Sequence, residues 1–180
     1  MNNIIVCIMR GIPGAGKSTL VNALVEEFYR NHGINSVTVS ADQYFVNKET
    51  GVYKFVSSEI EDAHALCLRR YLNAFDGFTR ASEFVIEPMM IFVDNTNIKQ
   101  WEASPYYAIA KAKGAIPIFL QIDTELETCV QDNVHGCPAG TIKHMAKRFE
   151  PGFPWHTTVV TNRSEYPKDL AVRILEELGI

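Results

Sequence analysis

A glycine-rich segment near the start of the chain constrains its fold more than any other feature. Residues 11–18 fit the phosphate-binding pattern G-x-x-x-x-G-K-[ST] at every fixed position. The segment follows the continuous apolar run 4–9, which is typical of a strand buried on both faces of a parallel sheet. Apolar residues then recur at helical spacing from Val21 to Phe28, and Gly33 is a stop signal. The sequence therefore predicts a strand, a phosphate-binding loop and a helix, in that order.

The chemistry of such a loop depends on its backbone and on two side chains. Glycines let N–H groups converge on phosphate oxygens, and the helix N-terminus adds partial positive charge. Lys17 is placed to reach the terminal phosphates, and the Ser18 hydroxyl is placed to ligate Mg²⁺. The alternative, a tight turn with an ordinary lysine, is disfavoured by the flanking pattern. The predicted nucleotide-binding residues are Gly11, Pro13, Gly14, Ala15, Gly16, Lys17, Ser18 and Thr19.

Composition narrows the class of protein. With 180 residues, 47% of them hydrophobic and 21% charged, we expect a single globular α/β domain over residues 1–180. The net charge of −4 gives no overall attraction to nucleic acid or to anionic membranes, so a polyanion would need a local patch. Four scattered cysteines indicate reduced thiols. Because no secretion signal or membrane span is apparent, we expect a cytoplasmic protein.

Strand-like runs alternate with helical patterns along the chain. This alternation predicts a three-layer α/β/α fold with a mostly parallel five-stranded sheet. After the first run, the predicted strands are 36–40, 89–93, 116–122 and 157–160. The later helices are expected to open at Ser58 and end before Gly77, to open at Ser104-Pro105, and to span about 140–149 and 167–178. Residues 78–88 are expected to form an extra strand or a surface excursion.

Two aspartates follow predicted strands. Because loops after parallel strands emerge at one edge of a sheet, Asp42 and Asp94 should lie near the phosphate-binding loop. Asp42 is a candidate base for a hydroxyl that attacks the γ-phosphate, and Asp94 is a candidate ligand of Mg²⁺ or its water. The alternative is that each aspartate caps a helix or stabilises a turn.

The short helix near residue 145 carries a cationic face. Lys143 and Lys147 are spaced i,i+4, as are His144 and Arg148. This face suits a lid that closes over phosphates, and it equally suits a solvated surface. Both interpretations stay open.

Other histidines and aromatic residues favour structural roles. His64 lies on an apolar stripe and is expected in the core, whereas His135 beside Gly136 leaves both roles open. Trp101, Tyr106 and Tyr107 are expected to pack in the core, with stacking on a base as the alternative.

Several segments together resemble a known family. They are residues 11–19, 40–45, 63–64, 93–97 (Val-Asp-Asn-Thr-Asn) and 133–136 (Asn-Val-His-Gly), with Pro138, Ile142, Met145 and Arg148. This set resembles the P-loop kinases of the polynucleotide 5′-hydroxyl kinase type, the group of NEDD-four-binding-protein-like and phage-encoded kinases. The resemblance spans residues 4 to about 150.

The resemblance implies an ATP- and Mg²⁺-dependent kinase. Lys17 and Ser18 would hold ATP and Mg²⁺, and Asp42 would be the base. Thr96 and Asn97 would line the acceptor side. Residues 133–148 would form a lid, and Arg148 is its catalytic candidate. The implied acceptor is a polynucleotide 5′ end. The alternatives are a kinase for a small molecule or a modified DNA base, and a nucleotide-binding interaction module.

Three positions differ from the family pattern. Asp132 stands where relatives often carry an arginine, so Lys143, Lys147 or Arg148 would have to supply that charge. Phe45 stands where the phage type has an arginine, and residues 78–88 resemble an insertion. These differences concern the handling of the acceptor and the closure of the lid.

Overall fold

A parallel sheet of five strands organises the protein. The computed structural model describes residues 4–82, 89–150 and 158–179. Within them the strand order is β2-β3-β1-β4-β5, and every neighbouring pair is parallel. The strands are β1 (Ile4–Arg10), β2 (Asn35–Val39), β3 (Met89–Val93), β4 (Ile116–Asp123) and β5 (Thr158–Asn162). The predicted fold class is therefore confirmed.

Helices cover both faces of this sheet. They are α1 (Lys17–His32), α2 (Ile60–Ser82), α3 (Gln100–Ala112), α4 (Leu126–Gln131), α5 (Ala139–Lys147) and α6 (Pro167–Leu178). The apolar sides of α2 and α3 pack on one face, and those of α1 and α6 pack on the other. All seven residues of β1 are buried, as expected of a strand between two helical layers.

The topology brings three loops to one place. β1 lies between β3 and β4, so the strand order changes direction next to it. In open parallel sheets, ligands bind at the carboxyl ends of the strands beside such a switch point. The loops after β1, β2 and β3 carry the glycine-rich segment, Asp42 and Asp94, respectively.

Two predicted helix boundaries are wrong. α2 continues through Gly77 to Ser82, because an exposed glycine inside a long helix costs only about 1 kcal/mol. Residues 78–82 thus extend a helix, whereas residues 83–88 of the predicted excursion lie outside the described residues. α3 begins at Gln100, before Ser104 and Pro105, because Glu102 and the distant Glu150 accept hydrogen bonds at its first turn.

Helix α4 was not predicted. It spans six residues after β4, and Cys129 is its buried residue. The carbonyl of Cys129 lies against Gly14 of the glycine-rich loop, so α4 supports the site described next. No helix within the described ranges is long and apolar enough to cross a membrane.

Candidate active site

The phosphate-binding loop is shaped by glycines that have no room for a side chain. Gly14 has a φ of 80°, and a Cβ atom there would lie 1.9 Å from the carbonyl oxygen of Cys129 in α4. Gly16 has a φ of 94°, which L side chains rarely adopt. The N–H of Gly11 donates to the carbonyl of Thr96 at 3.0 Å, which joins the loop to the end of β3. The loop is therefore held between α4 and the segment that follows β3.

Lys17 opens α1 and faces two acidic side chains. Its Nζ donates to the carbonyl of Ile12 at 3.1 Å. Burial lowers the pKa of Lys17, and the nearby Asp94 and Asp42 carboxylates oppose that shift. The N–H groups of the first turn of α1 have no partner within the helix. Their partial positive charges therefore face the region in front of Lys17. This arrangement suits the binding of a polyphosphate.

Ser18 and Asp94 form a pair that suits Mg²⁺. The Ser18 hydroxyl donates to Asp94 Oδ2 at 2.6 Å. Asp94 Oδ1 is buried without a hydrogen-bond partner among the described residues, and burial raises the pKa of this carboxyl group. Hydroxyl and carboxylate oxygens are the ligands that Mg²⁺ prefers, and the ion usually completes its coordination with water and phosphates. The residues present therefore fit the ion that the sequence predicted.

Asp42 lies in a single turn of 3-10 helix after β2. Its Oδ1 accepts a hydrogen bond from the Tyr53 hydroxyl at 3.0 Å, and its backbone N–H donates to Ser40 Oγ at 3.2 Å. The buried Asn95 holds this turn, because its Oδ1 accepts the N–H of Ala41 at 2.9 Å. The carboxylate is exposed to the cleft, where it can accept a proton from a substrate hydroxyl.

The two predicted acceptor residues have different environments. Thr96 lines the cleft. Asn97 is buried, has a φ of 43°, and donates through Nδ2 to the carbonyl of Met9 at 2.8 Å. The Asn97 side chain therefore does not line the cleft, and its hydrogen bond connects the segment after β3 to the end of β1.

Arg163 is a site residue that the sequence analysis missed. It follows β5, and its guanidinium donates to the carbonyls of Gly14 and Ala15 and to the carboxylate of Asp132. Asp132 is one of the positions at which the sequence departs from the pattern of the family it resembles. Asp132 forms an ion pair with Arg163, so the guanidinium beside the loop is partly neutralised by this carboxylate. The signal available in the sequence was the position of Arg163 after the fifth strand, at the same edge of the sheet.

Arg10 is a buried residue with a structural role that the sequence analysis did not identify. It is fully buried at the end of β1 and donates to the carbonyls of Asn97 and Glu150 and to Gln121 Oε1, at 3.2, 2.6 and 2.9 Å. Burial lowers its pKa to about 10. The guanidinium also lies over the Phe149 ring, 4.6 Å from its centroid. Arg10 therefore fastens the segment after α5 to the sheet.

Helix α5 borders the cleft through one of its faces. Thr141 and Met145 line the cleft and Ile142 is buried. Lys143, Lys147 and Arg148 are exposed and do not line the cleft in this structure. The lid function of α5 and the catalytic role of Arg148 stay predictions.

Two expectations about the core are wrong. His64 is exposed and lines the cleft, because the buried stripe of α2 runs through Ala63 and Cys67 one position away. Trp101 is 70% exposed, because α3 begins four residues before the predicted Ser104 and places Trp101 in its first turn. Tyr106 is buried and Tyr107 packs against the core, as predicted.

These elements enclose one large cleft of about 1150 Å³. The phosphate-binding loop and Arg163 line it, together with Asp42, Tyr53 and the N-terminal part of α2. The volume exceeds the roughly 300–1,000 Å³ of ordinary ligand pockets, so the cleft has room for a nucleotide and a second substrate.

Relatives and solved structures resemble this chain in sequence or fold. Human NEDD4-binding protein 2 is 29% identical over 82% of the chain, and the match covers 8% of that protein. The fold is similar to Chaetomium thermophilum Kti12 in complex with ADP-AlF3, with a TM-score of 0.68 at 14% identity, covering 96% of this chain and 98% of that one. It is also similar to the Mycobacterium tuberculosis APS kinase CysC in complex with AMPPNP and APS, with a TM-score of 0.61 at 16% identity and 97% of each chain covered.

A family match also covers most of the chain. Residues 6–151 match the family AAA_33, described as an AAA domain, and this range includes the phosphate-binding loop, Asp42, Asp94 and α5. The chain therefore belongs to the AAA_33 family and has the fold of a P-loop kinase.

Proposed function

We propose that this protein transfers the γ-phosphate of ATP to a hydroxyl group, with a polynucleotide 5′ end as the leading acceptor. One observation carries the proposal: Lys17 and the Ser18–Asp94 pair share a cleft with the exposed carboxylate of Asp42. The first three residues suit a magnesium–triphosphate group, and the fourth suits a hydroxyl that must lose its proton. The motifs 93–97 and 133–136 favour the polynucleotide acceptor.

In the proposed reaction the acceptor hydroxyl forms a bond to the γ-phosphorus while the bond to the β,γ-bridging oxygen breaks. Asp42 takes the proton from the hydroxyl, and ADP leaves with the electron pair of the broken bond. Lys17 and the N–H groups at the start of α1 stabilise charge on the phosphate oxygens. Ser18 and Asp94 would hold Mg²⁺, which would supply further charge neutralisation at the phosphates. Tyr53 holds one oxygen of Asp42 and leaves the other for the hydroxyl.

Two alternative functions use the same cleft. Its volume of about 1150 Å³ also accommodates a small molecule or a modified DNA base beside the nucleotide. APS kinase, of similar fold, was solved in complex with AMPPNP and APS. A nucleotide-binding interaction module would need the phosphate-binding loop alone.

Phosphate transfer from labelled ATP tests the proposal. The acceptors are 5′-hydroxyl DNA and RNA oligonucleotides, nucleosides, sugars and DNA with a hydroxymethylated base. We expect Asp42→Asn to lower kcat by about a hundredfold or more while ATP binding stays nearly unchanged. Lys17→Ala should abolish transfer in a folded protein.

Asp123→Asn is the matched control, because Asp123 also ends a strand at this edge of the sheet but does not line the cleft. It should keep wild-type kcat. Equal kcat for Asp42→Asn and wild type would assign Asp42 to a structural role. Labelling of a sugar or nucleoside but of neither oligonucleotide would replace the polynucleotide acceptor with a small molecule.

A further inference from the structure

A row of aromatic rings forms the wall of the cleft next to Asp42. Phe45 lies 5.0 Å from Phe55 and 6.2 Å from Tyr53 between ring centroids. Tyr53 in turn lies 4.5 Å from the imidazole of His135, with an interplanar angle of 46°. The first three rings belong to residues 45–55, whose hairpin is closed by the bridge between Val46 and Tyr53. His135 belongs to the segment before α5. The row therefore joins the two segments that border the acceptor side.

This row is accompanied by exposed apolar side chains that line the same cleft. Phe55 is 50% exposed, Ile60 is 44% exposed and Val134 is 87% exposed. Single exposed apolar residues are common on proteins, but a row of contacting rings that includes the exposed Phe55 beside a candidate catalytic carboxylate suits a binding surface. Tyr53 connects the two features, because its ring belongs to the row and its hydroxyl donates to Asp42.

The lysine and arginine side chains of the cleft belong to the phosphate-binding loop or contact it. Among the described residues that line the cleft, the lysine and arginine side chains are Lys17 and Arg163, and both contact carbonyls of the phosphate-binding loop. Tyr53 and His135 are the titratable members of the aromatic wall, and Asp42 and His64 line the cleft with them. A phosphate group held at this wall would need arginine or lysine partners, and a sugar would need several hydrogen-bond donors and acceptors. The wall offers mainly flat apolar faces.

We infer that this aromatic wall binds a nucleobase of the acceptor and so presents the adjoining hydroxyl to Asp42. Every base has a π-face that stacks on aromatic side chains, irrespective of sequence. The inference rests on the proposed function and adds the class of group that the acceptor must carry. That base is either the terminal base of a 5′-hydroxyl strand or a base that itself carries the hydroxyl.

The test measures binding and transfer with Phe55→Ala. The probe is a short 5′-hydroxyl DNA strand, titrated into protein loaded with AMPPNP and Mg²⁺. Stacking on an aromatic side chain contributes enough that its removal should weaken binding by about tenfold. Trp101→Ala is the control, because Trp101 is an exposed aromatic residue that does not line the cleft. AMPPNP affinity should be equal in both variants and in wild type, which verifies folding.

A second strand that lacks its terminal base completes the test. Wild-type protein should bind this abasic strand about as weakly as Phe55→Ala binds the complete strand. The affinity for the abasic strand should be the same in wild type and in Phe55→Ala.

A 5′-phosphorylated strand with an internal hydroxymethylated base distinguishes the two sources of the base. Transfer to this strand but not to 5′ ends, with sensitivity to Phe55→Ala, would support the inference while overturning the leading acceptor. Transfer to 5′ ends that depends on neither the base nor Phe55 would overturn the inference and leave the kinase function intact. Preferred labelling of a sugar would overturn both.

Discussion

At the scale of single residues, Gly14 of the phosphate-binding loop can be compared with Gly51, which lies outside that loop. Both have a positive φ, of 80° and 70°, but a Cβ atom would meet Cys129 at Gly14 and nothing within 4 Å at Gly51. Gly14→Ala should therefore displace the loop and lower ATP affinity by at least about tenfold. Gly51→Ala should cost only the backbone strain of about 1–2 kcal/mol in stability and leave ATP affinity unchanged. Calorimetric titration and thermal unfolding of both variants check this. Equal losses of ATP affinity would show that close contact with α4 is not the constraint.

Tyr53 offers a second residue-scale prediction. Tyr53→Phe keeps the ring between Phe45 and His135 and removes only the hydrogen bond to Asp42. A hydrogen bond of this kind contributes about 0.5–1.5 kcal/mol, so kcat should fall by about two- to tenfold. The KM for ATP and the affinity for the acceptor should stay the same. Steady-state kinetics at saturating acceptor measure the effect, and an unchanged kcat would remove Tyr53 from the positioning of Asp42.

At the scale of elements, Glu150 ties the start of α3 to the end of α5. Its carboxylate accepts hydrogen bonds from the N–H of Gln100 at 2.7 Å and from Lys99 at 3.1 Å, and these contacts lower the pKa of Glu150. A carboxyl group with a lowered native pKa stabilises the fold above its ordinary pKa, and this contribution is lost as the pH falls through the native pKa. Glu150→Gln should lower Tm at neutral pH and flatten its decline in acid. Thermal unfolding between neutral and acidic pH measures both, with Glu177→Gln on the exposed side of α6 as the control. Parallel curves for wild type and Glu150→Gln would contradict the prediction.

Some elements could be predicted from neighbouring residues alone, whereas others depend on residues far away in the sequence. β1, α1 and α6 could be predicted because their apolar residues repeat at the spacing of a buried strand or an amphipathic helix, and Gly33 ends α1 in a left-handed conformation. The start of α3 could not be predicted in full, because one of its two capping carboxylates comes from Glu150, fifty residues from Gln100. Arg163 was missed for the same reason: its partners Gly14, Ala15 and Asp132 lie far from it in the sequence.

At the scale of the whole molecule, the net charge of −4 opposes binding to nucleic acid. A polynucleotide acceptor must then be held by a few local cations in addition to any stacking of its base. The exposed Lys143, Lys147 and Arg148 on and after α5, a helix that borders the cleft, are candidates for this role. Because each phosphate contact on a single strand contributes a slope of about −0.7 in log K against log salt, an enzyme that binds only strand ends should show a total of about −1 to −3.

Removal of these cations one at a time separates two roles. A residue that closes over the phosphates of ATP should lower kcat at saturating acceptor when it is changed to glutamine. A residue that contacts the acceptor should instead raise KM and reduce the magnitude of the salt slope by about 0.7. Lys111→Gln, at the exposed end of α3, is the control of equal charge and should change neither quantity. Binding and transfer to a 5′-hydroxyl oligonucleotide at several salt concentrations distinguish these outcomes. A slope near zero in the wild type would mean that the acceptor contributes no phosphate contact, and the protein would then act on a substrate without a nucleic-acid backbone.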